Sequence, residues 1–131
     1  MLANEITERI KTLDVVPETF VIRTGRAEAS ATRAAMVMLP LTGYEQGLDQ
    51  SAAKFYRGGQ QIVVRSPDPE EAYRVSVALQ DALNIEGGAV KHIRWTVSLM
   101  RAESLPLLFP LNDGDLYETS MRFDVAAYLS N

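Results

Sequence analysis

Few residues of this chain could carry out chemistry, and none of them lies in a known catalytic pattern. His92 is the only histidine, and the chain has no cysteine, which excludes thiol nucleophiles, disulfides and thiolate metal sites. His92 falls on the polar side of a strand pattern beside Arg94, with no motif around it. We therefore expect a solvated strand histidine, not a general base.

The glycine-rich and acidic motifs also predict turns. Asp113-Gly114-Asp115 is a fragment of a calcium-binding loop, but the other ligands and the distal glutamate are missing. Gly58-Gly59 and Gly87-Gly88 lack the strand-glycine-helix context and the lysine of a phosphate-binding loop. No plausible general base accompanies the hydroxyl groups of Ser30, Thr32 or Ser51. We expect no catalytic residue, no metal ligand and no cofactor.

One unusually long connection, Thr42 to Gln60, carries the cluster Lys54, Phe55, Tyr56 and Arg57. Connections in compact domains usually run about 4–6 residues. The cluster could stack on bases and contact phosphates, or it could contact a protein. Because the net charge of the chain is −4, two cations leave a weak electrostatic footprint, and we favour a protein contact.

A second long connection, Ala102 to Gly114, is apolar from Leu105 to Leu111. Exposed apolar loops are unfavourable in water unless something covers them. We expect a partner to cover this one. The interface residues we assign here are Leu107, Leu108, Phe109 and Asp113. The alternative is that Leu108 and Phe109 fold back onto the sheet of their own subunit.

Apolar spacing predicts the first helix and the first three strands. Leu2, Ile6, Ile10 and Leu13 mark one face of a helix that Pro17 ends. The predicted strands are Thr19–Thr24, Met36–Leu41 and Gln61–Ser66. Since proline donates no ladder hydrogen bond, the second strand should end at Pro40 or lie at an edge.

A second helix has the clearest start in the chain. Asp68 suits its N-cap, Pro69 its first position and Glu71 the carboxylate of a capping box. Asn84 and the glycines after it should end this helix. Its buried stripe is Ala72, Val75, Ala78, Leu79, Ala82 and Leu83.

The last third of the chain alternates as two antiparallel strands, Lys91–Arg101 and Leu116–Leu129. The apolar side of the first holds Ile93, Trp95, Val97 and Leu99. The predicted fold class is α+β, an antiparallel sheet packed against two helices in the order α-β-β-β-α-β-β, with two long loops.

Size and composition favour a single domain over residues 1–131. Hydrophobic residues make up 47% and charged residues 23%, which is ordinary for a folded domain. The acidic balance argues against a general nucleic-acid binder. The N-terminus lacks the basic start and apolar core of a signal peptide. The longest apolar run, Ala34 to Leu41, is far shorter than the roughly 20 residues of a membrane span.

In order and length the chain resembles a known family. The residues that carry the likeness are VIRTG, MVMLPLTG before a long connection, PDPEEAYRVSVALQDALN, and NDGDLYETSMRFDVAAYL after a proline-rich segment. This arrangement resembles the tail terminator and minor capsid proteins of long-tailed bacteriophages and phage-like particles. In one departure, Phe109-Pro110-Leu111-Asn112-Asp113 lacks an arginine before the aspartate.

The resemblance implies a structural virion protein and no enzyme. Its members form a hexameric ring on the head-proximal end of the tail tube, stop tube polymerisation and dock to the head connector. The implied partners are further copies of the chain, the tail tube protein and the neck proteins, with DNA passing through without specific binding. The implied location is the virion neck, assembled in the host bacterial cytoplasm. Alternatives are a head-completion or connector-adaptor protein, or a small-molecule-binding α+β module.

Overall fold

A computed structural model describes residues 2–39, 55–111 and 115–129 of the chain. Within them lie two helices and seven strands, an α+β fold as the sequence predicts. The helices are α1 (Leu2–Leu13) and α2 (Pro69–Leu83). The strands are β1 (Val21–Thr24), β2 (Ala34–Val37), β3 (Phe55–Ser66), β4 (Val90–Lys91), β5 (Trp95–Ala102), β6 (Leu107–Pro110) and β7 (Tyr117–Leu129). No helix in these ranges is both long and apolar enough to cross a membrane.

One mostly antiparallel sheet contains all seven strands, in the order β1-β2-β3-β7-β5-β4, with β6 also paired to β7. The exception is the parallel pair β1–β2. β5 pairs with the C-terminal half of β7, from Phe123 to Leu129. β6 pairs with its N-terminal part, from Tyr117 to Ser120. β5 and β6 therefore lie end to end along the same side of β7.

The core lies between the two helices and one face of the sheet, which we call the inner face. Phe123 and Met121 of β7 and Ile62 of β3 are fully buried there. They pack with the stripe of α1 and with Leu79 and Leu83 of α2. The apolar spacing predicts most of these helix stripes, but Ala78 and Ala82 of α2 are only partly buried, and Ser76 is buried in addition. The cluster accounts for the stability of the fold, because buried apolar area is its main favourable term.

The start of α2 confirms the predicted N-cap and corrects the predicted capping box. The Asp68 side chain accepts a hydrogen bond from the amide of Glu70 at 3.0 Å, and Pro69 occupies the first turn. The Glu71 carboxylate instead accepts from the Ser66 hydroxyl at 2.6 Å and from Arg33 at 2.7 Å. These two hydrogen bonds lower the pKa of Glu71. Glu71 thus ties α2 to the β2 end of the sheet.

The two long loops of the sequence analysis are wrong over their described parts. Phe55 to Gln60 belongs to β3, so Gly58-Gly59 is strand and not a turn. Leu107 to Pro110 forms β6 within the second connection. Because glycine and proline are rare in strands, a sequence pattern places both segments outside the sheet. Pairing along β7 outweighs these weak local preferences.

The alternation predicted for the strand Lys91–Arg101 is also wrong in part. This segment divides into β4 and β5, and the turn between them leaves Ile93 69% exposed. An irregularity between Val97 and Leu99 then shifts the register against β7. Beyond it, Met100 is fully buried while Leu99 is only partly buried. A bulge of this kind reverses the faces of the residues that follow it.

The broken alternation makes opposite predictions for two apolar residues, one in the turn before β5 and one beyond the bulge. Met100→Ala should lower the free energy of unfolding by about 2–5 kcal/mol, since it leaves a cavity in the core. Ile93→Ala should change it by less than about 0.5 kcal/mol, since the side chain is already exposed. Chemical denaturation measures both. A larger loss for Ile93→Ala than for Met100→Ala would show that the uninterrupted alternation is the correct one.

Candidate interface on the outer face of the sheet

The face of the sheet that points away from the helices, called the outer face here, gathers most of the described candidate residues. Side chains alternate between the faces of a strand, and directly paired residues share a face. The register between β3 and β7 therefore fixes which residues lie on it. Those of β3 are Phe55, Arg57, Gly59, Gln61, Val63 and Arg65, and those of β7 are Glu118, Ser120, Arg122, Asp124, Ala126 and Tyr128.

One end of the outer face is covered by the segment between β1 and β2. Ala27 packs there on Met36 and Val63. The Arg65 guanidinium donates to the carbonyl oxygens of Glu28 at 2.9 Å and Ala31 at 3.0 Å, which holds the segment in place. This part of the outer face is closed to a partner.

A buried ion pair anchors that covered end. The Arg65 Nε donates to the Glu118 carboxylate at 3.0 Å, and the two side chains are 5% and 2% exposed. Arg26 reaches the other oxygen of the same carboxylate at 3.3 Å. A charge buried this deeply costs free energy unless it is paired and hydrogen-bonded. Each partner therefore depends on the other.

The uncovered part of the outer face carries a band of paired charges. Arg57 donates to Asp124 at 2.8 Å, and Arg122 lies 3.1 Å from Glu103. The Arg122 guanidinium lies over the backbone of Gly59, where a Cβ would collide with it. Glycine at position 59 thus allows the Arg122 side chain to lie directly against the β3 backbone. Acids and bases alternate along the band, which leaves it without a strong field of either sign.

Exposed aromatic and aliphatic side chains flank the charged band. Phe55 and Tyr128 are paired in the register and are 43% and 44% exposed. Leu107 and Phe109 lie on the same face, 68% and 39% exposed, opposite Ser120 and Glu118. About eight residues of β7 separate the two apolar groups, or roughly 26 Å at the rise of a strand. Such a span is typical of an interface with a protein.

The free edge of β6 is poorly suited to pairing with another strand. The Leu111 amide donates to the Leu116 carbonyl at 2.8 Å. In an antiparallel pair, the backbone N–H and C=O groups of every second residue point to the partner strand. Leu107 and Phe109 therefore point their backbone groups toward β7. The residues that turn them outward are Leu108 and Pro110. Since proline has no N–H, β6 offers one outward donor, the Leu108 amide. Contacts at this edge must come mainly from side chains.

The structure separates the candidate residues of the sequence analysis. Phe55, Arg57, Leu107 and Phe109 lie together on the outer face. Tyr56 was wrong as an interface anchor, because it faces the helices, is 4% exposed and donates through its hydroxyl to the Gly59 carbonyl at 2.9 Å. Lys54 and Asp113 lie outside the described residues.

Leu108 lies on the opposite face of β6 from Leu107 and Phe109. Leu108 points to the inner face beside Thr119 but stays 43% exposed, because it lies at the sheet margin. The backbone of β6 does fold onto its own subunit, as the alternative held, yet the Phe109 side chain remains 39% exposed. Sequence reasoning missed Tyr128, Arg122 and Gly59. Only the register between β3 and β7 brings them beside the others.

His92 is not the solvated residue that the strand pattern predicts. Its ring is partly buried between β4 and α1, and its Nδ1 lies 3.1 Å from the Val90 carbonyl oxygen. Burial lowers the pKa of His92, and the Arg9 charge lowers it further, against the opposite effect of the Val90 hydrogen bond. The pattern fails here because the strand breaks at this point.

Comparisons with known proteins do not identify a family for this chain. The sequence matches no protein-family model and no curated protein.

Two adjacent residues of β3 test the assignment of faces. Tyr56→Ser should lower the free energy of unfolding by about 3–5 kcal/mol, because it empties a core position. Phe55→Ser should lower it by about 1 kcal/mol or less, because that side chain is half exposed. Denaturant titration of both variants measures the difference. A larger loss for Phe55→Ser would mean that β3 presents the opposite face to the helices.

Proposed function

We propose that this chain is a structural subunit of a phage or phage-like virion that forms a ring at the head-proximal end of the tail tube. In that ring it stops tube polymerisation and docks to the head connector, as the resemblance implies. The observation that carries the proposal is the uncovered outer face, with its exposed Leu107, Phe109, Phe55 and Tyr128. Groups of exposed apolar side chains rimmed by charged residues are typical of protein contacts.

Further copies of the chain and the tail tube protein are the partners that this surface suits. Its charged band consists of alternating acids and bases, led by the pairs Arg57–Asp124 and Arg122–Glu103. Interfaces with nucleic acid are strongly positive, and this band is not. The net charge of −4 also suits a channel through which DNA slides, because phosphate-binding cations would hold the DNA back.

The interface suits a closed ring held by side-chain contacts better than an assembly built by strand pairing between copies. The edge of β6 offers few backbone donors, so a neighbour that meets β6 is held mainly by side-chain contacts. Contacts between unlike surfaces of two copies close into a ring when the rotation between them permits. The resemblance implies six copies. In this proposal the outer face and the side chains of β6 lie against a neighbouring copy or the tube.

A surface variant tests this role without disturbing the core. Leu107→Ser combined with Phe109→Ser should leave the melting temperature nearly unchanged, because both side chains are exposed. The same variant should fail to form rings on tail tubes in native mass measurements and electron micrographs. Tubes of uncontrolled length would support the terminator role, whereas normal tubes that cannot join heads would support the connector-adaptor alternative.

Ile93→Ser is the matched control, since Ile93 is as exposed as Leu107 but lies in the turn between β4 and β5. It should assemble as the unaltered chain does. Normal assembly and normal head joining by the Leu107→Ser, Phe109→Ser variant would contradict the proposal. A complex whose stoichiometry is inconsistent with sixfold symmetry would contradict the terminator ring.

A further inference from the structure

A cleft of about 520 Å³ lies on the side of the molecule that carries α1 and β4. Its walls come from α1 between Glu5 and Leu13, and from β4 and the turn that follows it. Leu13, Val90 and Ile93 supply an apolar lining, and Arg9 and His92 supply polar groups. Small-molecule sites typically have this size and this mixture of many apolar and few polar groups. The proposed ring does not use this cleft.

The Arg9 guanidinium is incompletely paired. Its Nη2 donates to the Ala82 carbonyl in the last turn of α2 at 3.4 Å, but the buried Nη1 has no partner among the described residues. The neighbouring Glu5 uses its Oε1 elsewhere, since this oxygen accepts from the amides of Arg94 and Trp95 at 2.7 and 2.9 Å. Burial lowers the pKa of Arg9. Nη1 is therefore a charged donor without an acceptor in the part of the chain that the structure describes.

His92, which also lines the cleft, carries the second unpaired atom. A carbonyl oxygen only accepts, so the contact with Val90 places the ring proton on Nδ1. The buried Nε2 then carries a lone pair, and it has no partner in the described structure. Buried polar atoms are nearly always hydrogen-bonded, and each exception calls for an explanation. Two exceptions in the walls of one cleft point to a missing group.

We infer that this cleft binds a monocarboxylate with a small apolar body, which Arg9 and His92 hold by its carboxylate. One oxygen accepts from Arg9 Nη1, and the other accepts from Nε2 after the ring takes a proton from solvent. The apolar body lies against Leu13, Val90 and Ile93. Binding thus takes up one proton, and affinity falls as the pH rises through the pKa of His92 in the complex.

The other charges of the cleft favour a single negative charge on the ligand. Besides Arg9 and His92, the charged groups that line it are Glu5 and Glu8 of α1 and Lys91 of β4. The two carboxylates would repel a multiply charged anion such as phosphate. Lys91 and Ile93 at the rim are exposed, and exposed side chains change rotamer rapidly. Their movement gives a ligand access to the buried atoms.

The single histidine makes the site directly observable by nuclear magnetic resonance. The probe is sodium hexanoate, and the signal is the Cε1–H resonance of His92 in the full chain, followed through a pH titration. Saturating hexanoate should raise the pKa of His92 by about one unit. Hexan-1-ol, which has the same apolar body without the charge, should leave that pKa unchanged. An unchanged pKa with hexanoate, or an equal response to hexan-1-ol, would overturn the inference.

Variants separate a binding role from a structural one. Arg9→Met should weaken hexanoate binding about tenfold or more. The matched control is Arg74→Met, which changes an exposed arginine of α2 outside the cleft and should bind within about twofold of the unaltered chain. Because Arg9 also contacts α2, amide spectra must show that the variant is folded. Should Arg9→Met unfold the chain, Arg9→Lys replaces it and should weaken binding by a similar factor, since lysine cannot reproduce the planar donor pair. Unaltered affinity in the folded variant would overturn the assignment.

The source of the carboxylate is distinguished by a second titration. N-acetyl-alanyl-leucine presents the C-terminal carboxylate of a polypeptide. The same dipeptide with an amidated C-terminus lacks that charge and is the control. Tighter binding of the peptide than of hexanoate would identify a polypeptide C-terminus as the ligand, and the reverse order would identify a free acid. Both orders support a carboxylate site, whereas binding of the amide as tight as that of the acid contradicts it.

Discussion

The antiparallel pairing of β3 with β7 is the constraint on which the rest of the structure depends. All twelve residues of β3 pair with β7, from Phe55 with Tyr128 to Ser66 with Tyr117. A shift of one residue would send every side chain of a strand to the opposite face. The register therefore decides at once which residues form the core and which form the outer face. It places Tyr56 under the helices and Phe55 beside Tyr128.

Two polar contacts help to hold that register in place. On the outer face, Arg65 and Glu118 are opposite each other in the register and form the buried ion pair. On the inner face, the Ser76 hydroxyl of α2 hydrogen-bonds the Thr119 hydroxyl of β7. A slipped register would leave these buried groups unpaired, which costs about 1–3 kcal/mol for each neutral group and more for a charged one. The interactions thus specify the pairing in addition to stabilising it.

The sequence predicts the elements with strong apolar periodicity and misses those with weak local signals. The spacing of Leu2, Ile6 and Ile10 and the cap at Asp68 are local, so both helices and the start of α2 follow from the residues alone. The long alternation after Leu116 likewise predicts β7. By contrast, the first half of β3 contains two glycines and β6 ends on a proline, and both form because β7 supplies a partner strand.

The candidate interface was predictable in part for the same reason. Exposed apolar residues such as Leu107 and Phe109 stand out in the sequence, but their face and their neighbours depend on pairing across the sheet.

The most direct test of the central claim is an electron cryo-microscopy map of the chain assembled on tail tubes. The account predicts Leu107 and Phe109 buried against a neighbouring copy or the tube protein. A map in which these side chains and the charged band of Arg57 and Arg122 face solvent would contradict it.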